Sequence, residues 1–91
     1  MANFVGMDVQ AVEQLSKDLA TEAGKISEVI AKIDNLVGHM QNIWKGHDAD
    51  QFAGWWRDQH RKALHNAQED IAGLGRSAHN NAREQDDVSR R

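Results

Sequence analysis

Trp44-Lys45-Gly46 lies near the middle of a 91-residue chain, where one long run of helical periodicity stops and another begins. A glycine just past the last periodic residue takes up a left-handed backbone conformation and ends a helix without a Cβ clash. Asp48, followed by Gln51 three residues later, has the capping-box pattern, in which the Asp side chain accepts from first-turn amides and Gln51 reaches back. Stop and start signals therefore fall within a few residues. So short a connection between two long helices predicts an antiparallel, side-by-side pair.

Upstream of the corner the pattern is regular. Val12, Leu19, Ile26, Ile33 and Met40 recur every seven residues, and Leu15, Val29, Leu36 and Ile43 form a second series of sevens interrupted by Glu22. These are a and d positions of a heptad. Val9, Ala23, Ile30, Val37 and Trp44 occupy the neighbouring e position, which widens the seam into the stripe of a helix that faces more than one other helix. Asp8 is the predicted N-cap. Gly24 and Gly38 each weaken the run by about 1 kcal/mol relative to alanine, and the pattern outweighs them. The first helix is predicted over about 8–44.

Downstream, the inward positions are predicted as Phe52, Trp56, His60, Leu64, Ala67, Ile71, Leu74 and Ala78. They step by four, four, four, three, four, three and four; the additional four is a stutter that relaxes the supercoil locally. Small residues, Ala63, Ala67 and Ala78 among them, predict a close approach of the two helices. The second helix is predicted over about 49–80, weakened near its end by Gly73 and Gly75, with a flexible tail over about 80–91 and a short disordered N-terminus over 1–7. The whole chain reads as a single all-α helix-turn-helix domain. A two-helix structure leaves so wide an apolar stripe half wet, so pairing of two hairpins into a four-helix bundle is expected.

Composition narrows the function. Eleven Lys and Arg against fourteen Asp and Glu give a formal charge of −3, with the signs interleaved, so no basic face for nucleic acid is suggested. There is no proline to break long helices and no cysteine for a disulfide or a thiolate metal site. Residues 1–7 have no basic region and only a short apolar stretch, so a Sec-type signal is not the expected export route. No apolar run approaches a membrane span, and neither helix is apolar all round, so stable membrane insertion is not expected. The chain lacks a nucleophile motif and a glycine-rich phosphate loop, and Glu13 with Lys17 and Asp58 with Lys62 read as i, i+4 pairs on solvated faces. No enzymatic activity and no cofactor are expected.

With Trp44-Lys45-Gly46 at the corner and Ala49, Phe52 and Trp56 following on the second helix, the chain resembles the WXG family of small type VII secretion substrates, those similar to the early secreted antigenic target. The resemblance covers the whole chain. It implies an antiparallel hairpin that dimerises with itself or a paralogue and is exported folded by an ATP-driven machine, the type VII secretion ATPase. It also implies a composite export signal, the Trp-x-Gly turn of one subunit beside a Tyr-x-x-x-Asp/Glu tail element of the other. This chain has no tyrosine. Either a partner supplies the tail element, the favoured reading, or a divergent element built on His79, Arg83 and Glu84 replaces it.

Each candidate residue also has a plainer role. Trp44 is either a recognition residue or a plug for the end of a bundle, and Gly46 is chiefly backbone geometry. Trp55 and Trp56 are adjacent on a helix, about 100° apart, so one of them is expected to be partly exposed and available for docking. His60 and His65, five apart, miss the spacing that sets two imidazoles on one helical face, and His39 and His47 flank the corner at no ligand spacing, so no metal site is expected. The interface expected to bind a partner comprises Val12, Leu15, Leu19, Ile26, Val29, Ile33, Leu36, Met40, Phe52, Trp55, Trp56, Leu64, Ile71 and Leu74. Two roles fit: a secreted half of a homo- or heterodimeric bundle, or an adaptor that carries the helical N-terminal domain of a larger secreted toxin to the export machine.

Overall fold

A computed structural model describes residues 7–90, and the side chains of residues 7–88. The expected disorder over 1–7 falls, Met7 apart, outside the described residues. Among those described there is no strand. Helix α1 spans Val9–Ile43, α2 spans His47–Trp55, a π-helical turn occupies Trp56–His60, and α3 spans Arg61–Arg90.

The start of α1 is built as its sequence predicts: the Ala11 amide donates to Asp8 Oδ1 at 3.1 Å, satisfying one of the first-turn donors. At the corner, the Trp44 amide donates back to the Met40 carbonyl at 2.9 Å, closing α1. Gly46 has φ 119° and ψ −179°, a region open essentially to glycine alone. It stands at the N-cap of α2 and makes no side-chain cap bond. The capping box predicted on Asp48 and Gln51 is therefore corrected, because the helix starts at His47 and puts Asp48 and Asp50 inside its first turn. There their carboxylates act on the helix dipole instead.

The chain divides into two compact units, Met1–Ala23 with Asp70–Arg91 and Gly24–Glu69. In the first, Gly75 of α3 meets α1 so closely that an added Cβ would lie 3.2 Å from the Ser16 carbonyl oxygen and 3.4 Å from Leu19 Cβ. The glycine read as a weak point of the second helix is thus where its backbone touches α1. His79 Nδ1 lies 2.8 Å from Glu13 Oε1, so residues later in α3 meet residues earlier in α1, the antiparallel sense. Glu13, predicted to pair with Lys17 along its own helix, turns across to α3. Ala82 is fully buried, and Gln85 and Asp86 are half-buried. That inward stripe explains why the helix continues to Arg90 instead of ending near 80. Its residues are small or polar, and apolar periodicity does not register them.

In the second unit, Ile30 of α1 and Ala49, Ala53 and Trp56 of the return segment are buried. Asp34 of α1 bonds to Trp56 and Arg61, again the antiparallel sense. Of the residues predicted to face inward after Trp56, His60 and Ala63 are exposed, while Leu64 is half-buried as its place in the series predicts. Along α1, the a series from Val12 to Met40 is half-buried, and Ala23 and Ile30 of the e series are buried. Leu15, Val29, Leu36 and Ile43 of the d series are all exposed. One helix covers one stripe, and here the covered stripe is the a/e side of α1. Phe52 and Leu74, predicted to face inward, are exposed as well.

Candidate functional site

Among the described residues, the Gly24–Glu69 unit carries most of the large exposed apolar side chains. Leu36 is 65% and Ile43 72% exposed, and Val29, Trp44, Phe52 and Trp55 also lie open to solvent. The Trp44 and Phe52 rings meet with centroids 6.0 Å apart and planes tilted by 54°, a tilted aromatic contact. This contact joins the corner to α2, and Trp55, one turn on from Phe52, extends it along that helix. The adjacent indoles separate as the 100° step requires: Trp56 is 8% exposed and Trp55 47%.

Trp56 is placed by an arrangement that apolar periodicity does not reveal. Its indole Nε1–H donates to Asp34 Oδ1 at 2.9 Å. Arg61 closes on the same carboxylate, with Nε 3.0 Å from Oδ1 and Nη2 3.1 Å from Oδ2, the two-point geometry that favours arginine over lysine. Between them runs the π turn, whose closing bond goes from the Arg61 amide to the Trp56 carbonyl five residues back. The sequence signals it only as a stutter. Asp34, the partner across the hairpin, sits at a polar position of α1 with nothing in the heptads to single it out.

Hydrogen bonds from Arg61 and then from Trp56 hold the Asp34 carboxyl below its ordinary pKa, outweighing a partial desolvation that acts the other way, and the Arg61 charge adds to the lowering. The bond to Asp34 likewise holds the Arg61 proton more firmly than usual. Both side chains are more than a third exposed, so water screens the pair. The sign follows from linkage. A carboxyl with a lowered folded-state pKa adds stability above its unfolded value, near pH 3.9, and loses it as pH falls through the folded value. The clamp is therefore expected to be constant from pH 8 to about 5 and to weaken below about 4. Trp56 emission against pH, in a chain with Trp44 and Trp55 replaced by Phe, tests this; a transition near neutrality would contradict it.

The other residues singled out from the sequence sit apart from this corner. His79 faces Glu13 within the Met1–Ala23 and Asp70–Arg91 unit. Arg83 and Glu84 are exposed on α3; Arg83 lines a shallow groove with Val9 and Asp86, and Glu84 lines another with Met7 and Val88. Lys45 is exposed beside Gly46. Asp58, expected to pair with Lys62, lies 3.5 Å from Arg57 Nε.

Among the described residues, no three side chains of metal-ligating type cluster as a site, and no helix is long and apolar enough to cross a membrane. No match was found among curated proteins or solved structures. Residues 5–87 match the family described as WXG100, proteins of 100 residues with WXG. A match over nearly the whole chain, with Trp44 and Gly46 at a corner between two long helical arms, places this protein in the WXG100 family.

Proposed function

We propose that this protein is a non-enzymatic substrate of type VII secretion and acts as one half of a homo- or heterodimeric helical bundle. The observation that carries the reading is the outward apolar row of the Gly24–Glu69 unit, with Leu36, Ile43, Trp44, Phe52 and Trp55 exposed in a chain of this family. Side chains of this size contribute about 1.5–3 kcal/mol each when fully buried, and the facing stripe of a second hairpin matches their helical spacing. The half-exposed Trp44 indole, held against Phe52, is the residue we assign to recognition by the export machine. A partner then supplies the tail element that a chain without tyrosine lacks.

Replacing Trp44 by Ala is expected to abolish export from the producing cell while leaving the helical circular dichroism largely intact. Loss of helix and of association together would assign Trp44 to packing instead. The missing tyrosine also favours a second reading, an adaptor for a larger secreted toxin. Co-purification separates the two: a partner of similar length supports a paired substrate, and a long multidomain partner supports the adaptor. In either role the protein is cytoplasmic before export and extracellular or at the cell surface after it.

A further inference from the structure

We propose that Asp34 is a positioning residue: it sets the rotational register of α2, and through it the face on which Phe52 and Trp55 stand beside Trp44. The inference rests on the reading of the corner as the recognition surface.

In an unbroken α-helix, residues five apart point about 140° away from each other. Trp56 and Arg61 are five apart, yet both reach the carboxylate of Asp34. They can do so because the backbone between them closes as a π turn, with the Arg61 amide bonded to the Trp56 carbonyl, which takes one more residue into the turn. The inward face records the same insertion. From Ala49, Ala53 and Trp56 a heptad would continue at His60 and Ala63, but these are exposed and Leu64 turns in, one position late.

A π turn is a rare conformation, found mostly as a single bulge inside an α-helix and often at functional sites. Arg57, Asp58, Gln59 and His60 within it are exposed, so they bury nothing that would keep it. Its two ends, the buried Trp56 and Arg61, are both tied to one carboxylate across the hairpin. With that carboxylate gone, relaxation of the turn to α-helix changes the phase between α2 and α3 by one residue, about 100°. Helix α2 has nine residues against thirty in α3, and α3 is also held to α1 at Gly75 and His79, so α2 is the helix that turns: Ala49 and Ala53 leave the seam, and Phe52 turns away from Trp44.

Three forms of the full chain test this: Asp34→Ala, deletion of Gln59, and the two together. Backbone amide exchange at residues 57–61 reports the turn, and the exported fraction from the producing cell reports the corner. Asp34→Ala is expected to speed exchange there about tenfold, the mark of a locally released segment, and to lower export by about the same factor. Deleting Gln59 removes the additional residue, so the double variant has no slack to redistribute and is expected to recover export without the clamp. The proposal is overturned if Asp34→Ala leaves the exchange pattern unchanged, if it changes exchange but not export, or if the Gln59 deletion fails to rescue. Unimpaired export of both Trp44→Ala and Phe52→Ala would instead remove the recognition reading, and the proposal with it.

Discussion

A Leu36→Glu, Phe52→Glu variant is expected to lose association with its partner while keeping its helical content. Both side chains are exposed in the single chain, Leu36 at 65%, and glutamate is a good helix former, so the hairpin has little reason to unfold. In an assembled bundle each substitution removes about 1.5–3 kcal/mol of apolar burial and sets a carboxylate against an apolar surface. With every 1.4 kcal/mol a factor of ten in affinity, the pair is expected to weaken association by at least about a hundredfold. Sedimentation velocity at micromolar concentration, alone and with a paralogous partner, reads this directly. An unchanged mass distribution would show that the apolar row of Gly24–Glu69 is not the contact.

Trp56→Ala is expected to act in the opposite way, on the fold of the single chain. Trp56 is the one large aromatic among the buried side chains of the Gly24–Glu69 unit, the others being Ile30, Ala49 and Ala53. Cutting a buried Trp to Ala typically costs about 3–5 kcal/mol, a large share of the roughly 5–15 kcal/mol that holds a domain together. It also takes from Asp34 the indole donor at 2.9 Å. Trp55→Ala, one position away and exposed, is expected to change the unfolding free energy by no more than about 0.5 kcal/mol. Urea denaturation of the two variants side by side makes the comparison, and equal losses would show that the adjacent indoles are not divided between core and surface.

Much of this protein is legible in one dimension. Heptads from Val9 to Ile43, with no proline anywhere, specify a long first helix, because a helix shows its buried stripe at regular intervals along the chain. Asp8 marks the start and Gly46 the corner through local backbone chemistry that needs no distant partner. The site was less legible. Asp34, Trp56 and Arg61 form a set only across 22 and 27 positions of separation, and no local pattern couples residues so far apart. The far end of α3 was misread for a related reason: Ala82, Gln85 and Asp86 continue the inward stripe without being strongly apolar.

The periodicity of the side chains alone determined that the protein is two helical arms folded at Gly46, and the Trp-x-Gly corner named its family. Which of three apolar series on α1 would be covered was decided by tertiary packing. A single neighbour can shield only part of a stripe that wide, and small residues such as Ala23 and Gly75 admit it on one side. In the Gly24–Glu69 unit the chain therefore buries Ile30, Ala49, Ala53 and Trp56, and leaves Leu36, Ile43, Trp44 and Trp55 facing outward.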